Sequence, residues 1–144
     1  MLISQILKEK PSQGVLTVTP ATTVGEVTAL LSEKRIGGVI VSDEGRHPLG
    51  ILTERDIVRE LGRRGAGVLD EPAQALMTAK LVSCAPSDRA IAVLQMMTEG
   101  RFRHMPVMEG DEMVGIVSIG DVVKGRLEEL ANQAEALKNM IMGY

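Results

Sequence analysis

The stretch GIVSIGD, Gly115 to Asp121, decides the fold, because nearly the same sequence, GILTERD, occurs at Gly50 to Asp56. Each copy has a glycine, two aliphatic residues and a hydroxyl residue, and an aspartate follows three positions after the hydroxyl. The aliphatic residues predict the end of an apolar strand, and the hydroxyl residue predicts the start of a helix. A duplicated strand-to-helix junction indicates two copies of one folding unit.

The similarity between the copies extends well before each junction. The segment Leu16–Val58 is repeated as Val82–Val123, with Pro20 matching Pro86. In both segments the hydrophobic periodicity predicts the order β-α-β-β-α. Because a unit of about 50 residues buries little core by itself, we expect the two to pack face to face about a pseudo-two-fold axis. The predicted fold class is α+β, a sandwich-like pair of β-α-β-β-α repeats with a long C-terminal helix.

These patterns divide the chain into five parts. We expect an N-terminal helical segment at 1–13, a first repeat at 14–61, a linker at 62–76, a second repeat at 77–126 and a C-terminal helix extension at 127–144. The linker is predicted from the composition of GRRGAGVLDEP. The predicted strands are Val15–Val18, Gly38–Ser42, Leu49–Leu52, Leu81–Cys84, Met105–Met108 and Met113–Val117, and the predicted repeat helices include Val24–Lys34 and Ala90–Glu99.

The last predicted helix, from about Asp121 to Met142, has an apolar seam at spacings of four and three residues. Such spacing is typical of a coiled coil. The seam could pack on its own chain or against a partner helix, as in a homodimer, and the sequence leaves both open. Its residues are Val123, Leu127, Leu130, Ala134, Leu137 and Ile141.

The composition argues against several classes of function. The net charge is −3, and one Phe, one Tyr and no Trp offer little for stacking nucleic-acid bases. Nucleic-acid binding is therefore not expected, although Arg59, Arg63 and Arg64 form a local basic patch. The one cysteine, Cys84, cannot form an internal disulfide, and no metal-site spacing, export signal or membrane-length apolar run is present. We expect a cytoplasmic protein with no metal and no membrane association.

Two interpretations of Thr53-x-x-Asp56 and Ser118-x-x-Asp121 remain open. The first is a helix capping box, in which hydroxyl and carboxylate each bond a backbone amide. The second is a nucleotide site, because a helix N-terminus favours phosphate and an aspartate can accept the hydroxyls of a ribose. Arg55, inside the first motif, could reach a phosphate or lie in solvent.

A basic cluster lies before the strand Met105–Met108 and favours the nucleotide interpretation. It consists of Arg101, Arg103 and His104, and it could bind a phosphate at the mouth of a cleft. The first repeat has Gly37–Gly38 at the matching place, where a ligand could approach the backbone closely.

Taken together, ERDIVR, LMTAKLV, RFRHMPV and GIVSIGDVVK make the chain resemble a tandem pair of cystathionine-β-synthase (CBS) domains, also called a Bateman module. The resemblance covers residues 14–126 and extends to small stand-alone bacterial CBS-pair proteins. It implies a regulatory module that binds an adenine nucleotide between the repeats and commonly forms homodimers. AMP is the ligand expected first, with NAD(H), ADP, ATP and S-adenosylmethionine as alternatives, and the regulated protein is unknown.

The resemblance also implies two binding clefts. In one, Ser118 and Asp121 would bind ribose and phosphate. The mirror cleft would use Thr53 and Asp56. The cleft at Ser118 would also contain Arg103, Ile36, Gly37 and Gly38. The cleft at Thr53 would also contain Phe102, Arg103 and His104. The backbone of Lys80–Leu81 and of Gly14–Val15 would contact the adenine edges.

The first repeat departs from the family, because Ile40 stands where a proline is common and glycines replace the basic pair. The two clefts should therefore differ in affinity. We do not expect an enzyme, since His47, His104 and Cys84 show no arrangement of nucleophile and base. The other alternative is an interaction scaffold with vestigial pockets.

Overall fold

The computed structural model describes residues 1–10 and 15–143. The structure mixes helices and strands and ends in a long helix, so the α+β class and the long C-terminal helix are confirmed. The helices are α1 (Ile3–Glu9), α2 (Val24–Lys34), α3 (Glu54–Arg64), α4 (Ala73–Leu76), α5 (Ala90–Gly100) and α6 (Ile119–Met142), and the strands are β1 (Thr17–Val18), β2 (Gly38–Val41), β3 (Gly50–Thr53), β4 (His104–Glu109) and β5 (Glu112–Ser118).

The first repeat contains a three-stranded sheet in the order β1-β2-β3. Strand β2 pairs in parallel with β1 and antiparallel with β3, and all four of its residues are buried. Helix α2 covers the sheet with Val24, Val27 and Leu31, which share one helical face. Its N-terminus is capped by Thr23, whose hydroxyl accepts from the Glu26 amide at 3.1 Å. The predicted helix Val24–Lys34 is therefore confirmed.

The second repeat contains the antiparallel pair β4-β5. The predicted strand Leu81–Cys84 is wrong, because only Cys84 bridges to β4, at Val107. Pro106 explains the difference: it occupies the position of Ile40 in the first repeat and has no N–H to donate to a neighbouring strand. The contact is limited to the Cys84 amide on the Pro106 carbonyl, at 3.0 Å, and the Met108 amide on the Cys84 carbonyl, at 2.7 Å.

Residues 62–76, predicted as a linker, have regular structure. Helix α3 continues to Arg64, and a short 3-10 helix, Ala66–Asp70, then packs on α2 and α3. Val68 anchors it, with 1% of its surface exposed. Helix α4 follows and places Ala73 and Leu76 in the core of the first repeat.

Each repeat is completed by the helix that precedes the other repeat. Ile3 and Ile6 of α1 pack in the core of the second repeat, as α4 does in the first. Equivalent hydrogen bonds hold the two helices: the Ile3 amide donates to the Asp88 carbonyl at 2.9 Å, and the Ala73 amide donates to the Thr22 carbonyl at 2.7 Å. This crossed arrangement follows the pseudo-two-fold relation of the repeats and determines what lies beside each junction.

Helix α6 begins at Ile119, two residues before the predicted start. Its first turns pack on α1, α5 and β5. The seam is exposed along the rest of the helix, with exposed fractions between 43% at Leu130 and 77% at Ile141. The interpretation in which the seam packs on its own chain is therefore wrong for these residues.

Candidate functional site

Both strand-to-helix junctions form the predicted capping box. The Thr53 hydroxyl accepts from the Asp56 amide at 3.3 Å, and Asp56 Oδ2 accepts from the Thr53 amide at 3.0 Å. The Ser118 hydroxyl accepts from the Asp121 amide at 3.2 Å, and Asp121 Oδ2 accepts from the Ser118 amide at 2.9 Å. Each box uses one carboxylate oxygen and leaves the other for a further partner.

The ring of His104 lies between the repeats, against the backbone of Gly37 and Gly38. A methyl group on Gly37 would lie 3.1 Å from His104 Cε1, and one on Gly38 would lie 3.5 Å from His104 Nδ1. In this structure, therefore, the two glycines admit a histidine from the other repeat. Strand pairing places His104 beside Ser118 and Gly38 beside Thr53.

A cavity of about 350 Å³ opens at the Thr53–Asp56 junction, which we call the first cleft. It is large enough for a small-molecule ligand. Predicted site residues from both repeats line it: Gly37, Thr53, Arg55, Asp56, Lys80, Leu81, Phe102, Arg103 and His104. Arg101 of the predicted basic cluster also lines the cavity, and six further lining residues were not predicted, namely Ile51, Glu54, Arg59, Thr78, Val82 and Gly100.

The first cleft is cationic although the chain is acidic. Five cationic side chains and two carboxylates line the cleft, whereas the net charge of the chain is −3. A concave site with a local excess of one charge concentrates ligands of the opposite charge. The cations are Arg55, Arg59, Lys80, Arg101 and Arg103, and the carboxylates are Glu54 and Asp56.

Asp56 is the buried acceptor of the first cleft, with 7% of its surface exposed. Its Oδ2 accepts from both the amide and the hydroxyl of Thr53, each at 3.0 Å. Its Oδ1 accepts from Arg59 Nη2 at 3.1 Å. Because the Arg59 side chain is 54% exposed, this last bond can exchange for a ligand hydroxyl at little cost.

The surroundings of His104 favour the neutral form of its imidazole. Burial lowers the pKa of its imidazole, although the nearby carboxylates of Glu54 and Asp121 act in the opposite direction. Its Nδ1 is buried and has no hydrogen-bond partner among the described residues. An unsatisfied buried nitrogen at the wall of a cavity is unusual in a folded protein.

The Ser118–Asp121 junction, which we call the second cleft, is arranged differently. Lys10 Nζ donates to Asp121 Oδ2 at 2.9 Å and to the Ile116 carbonyl at 2.8 Å. Burial alone would raise the pKa of Asp121, but the Ser118 amide and the Lys10 ammonium lower it below its usual range. The sequence interpretation missed Lys10, because its contact with Asp121 depends on how α1 packs in the folded chain.

Four predicted residues lie outside the first cavity. Ser118 and Asp121 form the second cleft, and Gly38 supports His104. Ile36 lines a separate, more open depression between α2 and α3. Of the predicted adenine contacts, Gly14 lies outside the described residues, whereas Val15 and Leu81 pack against one apolar cluster built on Ile40, Ile51 and Met113.

In the described part of the chain, the thiol of Cys84 and the potential metal-binding side chains do not form a reactive site. Burial raises the pKa of the Cys84 thiol to about 12, with a smaller contribution from Asp88, so the thiol stays protonated. Within residues 1–10 and 15–143, no group of three or more His, Cys, Asp or Glu side chains is arranged to bind a metal ion. In the same ranges every helix is too short or too polar to cross a membrane.

Comparison with known proteins identifies one family, the CBS domain proteins. The family model for the CBS domain matches twice, at residues 3–63 and 73–128. The mitochondrial CBS domain-containing protein CBSX3 of Arabidopsis thaliana is 30% identical over 148 residues, which is 98% of this chain and 72% of the relative. Three longer Arabidopsis relatives also match, but the chain spans only 24% of their length.

Solved structures agree with this match. A crystal structure of a CBS-domain containing protein from Agrobacterium tumefaciens is 39% identical, with a TM-score of 0.82 over 88% of this chain and 99% of that one. A CBS domain protein from Pyrobaculum aerophilum, solved in complex with AMP, is 26% identical, with a TM-score of 0.76 over 92% of this chain and 99% of that one.

Proposed function

Because this chain belongs to the CBS domain family, we propose that it is a regulatory module that binds an adenosine nucleotide, AMP first among them, in its first cleft. One observation carries the proposal: a single cavity combines a buried ribose acceptor, Asp56, with five cationic side chains. The complex of the Pyrobaculum aerophilum relative with AMP supports the choice of ligand. NAD(H), ADP, ATP and S-adenosylmethionine are the alternatives that the experiment separates.

Each group in the cleft has a part in this proposal. Asp56 accepts the ribose hydroxyls through Oδ1 in place of Arg59. The phosphate lies near Arg101 and Arg103, whose guanidinium groups suit bidentate binding of phosphate. The adenine lies against the apolar wall formed by Ile51 and Leu81, while Arg55 and Lys80 add positive charge at the rim.

Signalling follows from the position of the cleft between the repeats. Thr53 and Asp56 belong to the first repeat, whereas Phe102 and Arg103 belong to the second. A ligand that contacts both sides stabilises one angle between the repeats over others. The equilibrium shifts only by the difference in affinity between the two arrangements, and a second protein then recognises the favoured one. We propose a regulatory role of this kind in the cytoplasm and no catalytic role.

The test is thermal unfolding of the protein against AMP, ADP, ATP, NAD+, NADH and S-adenosylmethionine, with an external dye because the chain has no tryptophan. A ligand at about 100 times its dissociation constant adds roughly 2.7 kcal/mol. For a chain of this size that is a shift of several degrees. We expect the largest shift with AMP and a smaller shift in Asp56→Asn.

The matched control is Asp70→Asn, which changes an aspartate outside the cleft and should keep the full shift. If no ligand in the panel shifts the transition, the nucleotide proposal is wrong and the scaffold alternative gains support. If Asp56→Asn responds as the wild type does, ribose recognition has been assigned to the wrong residue.

The exposed seam of α6 favours a second role, as a homodimer interface. We propose that two copies pair through it in parallel. In a parallel pair the residues that flank the seam meet as Arg126 with Ala131 and Gln133 with Lys138, so no like charges face each other. Leu137 is 57% exposed and is therefore available for such a contact.

Sedimentation equilibrium tests the pairing. The wild type should have the mass of a dimer, and Leu137→Lys, which changes a seam residue that is exposed in the single chain, should be monomeric. Asn132→Lys introduces the same charge on the opposite face of the helix and should remain dimeric. A monomeric wild type, or a dimeric Leu137→Lys, would contradict the interface.

A further inference from the structure

The carboxylate oxygen that faces the first cleft already has a cationic partner in its own chain. Asp56 uses Oδ2 for the helix cap, whereas Oδ1, to which we assign the ribose, accepts from Arg59 Nη2 at 3.1 Å. Because Asp56 is buried, its charge needs such a partner when no ligand is bound. A ribose that donates to Oδ1 therefore competes with the guanidinium of Arg59.

Arg59 contacts Asp56 from one turn further along α3. Residues three apart lie on the same side of a helix, so the two side chains meet without help from another element. The Arg59 side chain is half exposed and lines the cavity together with Arg101 and Arg103 of the second repeat. Its described ion pairs, with Asp56 and Glu60, are both within α3. The guanidinium can therefore turn from Asp56 toward the cavity without breaking a described ion pair between the repeats.

Among the described residues, the released guanidinium has no equal partner. Glu60 Oε1 lies 3.7 Å from Arg59 Nε, but Glu60 Oε2 is already bonded to Arg64 at 2.9 Å. Glu54, the other carboxylate of the cleft, faces Gly37, since its Oε1 lies 3.6 Å from the place of a methyl group on that glycine. Glu54 is also five residues from Arg59, which places the two on different sides of the helix. Only the ligand can therefore supply a close anion to replace the one that the ribose takes.

A phosphate on the same ligand is such an anion. Guanidinium groups bind phosphate oxygens with charge-assisted hydrogen bonds, often in pairs. Arg55 also lines the cavity, and because it lies four residues before Arg59 on α3, the two like charges repel each other. An anion beside them relieves this repulsion. A nucleotide thus gives Arg59 a new partner, whereas a nucleoside does not.

We propose that Arg59 makes the first cleft selective for phosphorylated over unphosphorylated adenosine, because it exchanges Asp56 for the ligand's phosphate when the ribose binds. This inference rests on the proposed function and names the class of adenosyl ligand that the cleft accepts. Adenosine displaces Arg59 and gives it no anion. AMP displaces Arg59 and supplies one, so the cost of breaking the ion pair falls on the nucleoside.

The exposure of Arg59 limits the size of the effect. An ion pair of this kind, with one exposed partner, changes an equilibrium by up to about fivefold. Burial of Asp56 places the pair toward the upper end of that range, so removal of the guanidinium should tighten adenosine binding by about three- to fivefold. AMP loses a competitor and a phosphate partner together, and its affinity should therefore change little.

Calorimetric titration with adenosine and with AMP tests the selectivity, because the two ligands differ only in the phosphate. In Arg59→Met the dissociation constant for adenosine should fall about three- to fivefold, while that for AMP stays within about twofold of the wild type. Arg63→Met is the matched control. Arg63 lies on the same helix outside the cavity, with 72% of its side chain exposed, so both affinities should be unchanged.

A double substitution links the effect to the proposed exchange. In an Asp56→Asn chain the carboxylate that holds Arg59 is absent. Adding Arg59→Met to this chain should therefore leave adenosine binding unchanged, in contrast to its effect in the wild type. Adenosine binding that tightens equally in both chains would mean that Arg59 acts on the ligand by another route, and the exchange would be wrong.

Modification of arginines with a dicarbonyl reagent, followed by mass spectrometry, gives a measurement in the wild-type chain that does not depend on the folding of a variant. Adenosine should accelerate the reaction of Arg59 relative to Arg63, because the ribose releases the guanidinium from Asp56. AMP should slow the reaction of Arg59, because the phosphate holds the released group. Equal rates with the two ligands would overturn the proposed exchange.

The outcomes separate the selectivity from the function on which it rests. Adenosine binding that is unchanged or weaker in Arg59→Met, or an equal tightening of adenosine and AMP, would overturn the selectivity and leave the nucleotide proposal standing. If neither ligand binds the wild-type chain, both proposals are wrong, and the contact between Arg59 and Asp56 is a structural ion pair of α3.

Discussion

Replacing Ile3 with alanine tests whether the N-terminal helix belongs to the core of the second repeat. Ile3 has no exposed surface and packs in a cluster with Ala90, Val93 and Met97. An Ile-to-Ala change at such a site removes buried methyl groups and leaves a cavity, which costs about 2–5 kcal/mol. For a chain of this size each kcal/mol lowers the midpoint by about 2–4 °C, so a loss of roughly 10 °C is expected.

Urea and thermal unfolding, followed by circular dichroism, measure the loss. Leu2→Ala is the matched control, because Leu2 is 40% exposed and its replacement should change the unfolding free energy by no more than about 0.5 kcal/mol. An Ile3→Ala variant as stable as the Leu2→Ala variant would refute the crossed packing of α1 on the second repeat.

Three further outcomes follow from the titrating groups. The two histidines should titrate on opposite sides of pH 6.5 in NMR spectra. The Glu44 carboxylate raises the pKa of His47, whereas burial lowers the pKa of His104. The spectrum of His47→Gln assigns the two signals. Native Cys84 should react with a thiol reagent only at the rate of unfolding, because burial raises its pKa to about 12, and fast reaction would place the thiol at the surface. Because the pKa of Asp121 is lowered, its ionised carboxylate stabilises the fold above pH 3.8, and this contribution is lost as the pH falls further. The unfolding free energy of Asp121→Asn should therefore fall less steeply in acid than that of the wild type. An identical fall in both proteins would contradict the Lys10 contact.

Local signals predicted much of the fold. A hydroxyl followed three positions later by an aspartate predicted the start of α3 and α6, and each was observed as a capping box. Such motifs act within one turn of helix, so a short stretch of sequence contains all that determines them.

Features that depend on distant residues were not predictable in this way. The strand expected at Leu81–Cys84 is absent because Pro106, on another strand, cannot donate to it. The segment predicted as a linker folds because Val68 finds a buried place between two helices. The absence of this strand and the folding of this segment both depend on residues that are distant in sequence and adjacent in the folded chain.

The candidate site also combines residues predictable from local sequence with one that depends on tertiary packing. Repetition of the junction identified Thr53 and Asp56, and family resemblance brought Phe102, Arg103 and His104 to the same cleft. The resemblance could not identify Lys10, because its contact with Asp121 requires α1 to cross to the second repeat. The side on which a preceding helix packs is a tertiary property with no signature in the periodicity of the helix itself.

Helix α6 connects the second cleft mechanically to the exposed seam. Asp121 lies in its first turn, and the helix continues to Met142. A rigid helix of 24 residues is about 36 Å long, so a tilt of about 5° at its root moves its tip by about 3 Å. If the proposed nucleotide binds at Asp121, the helix acts as a lever that transmits a change at its first turn to the apolar seam. Displacements too small to disturb the packing around Asp121 become, at Leu137 and Ile141, large enough to change which surface a neighbour meets.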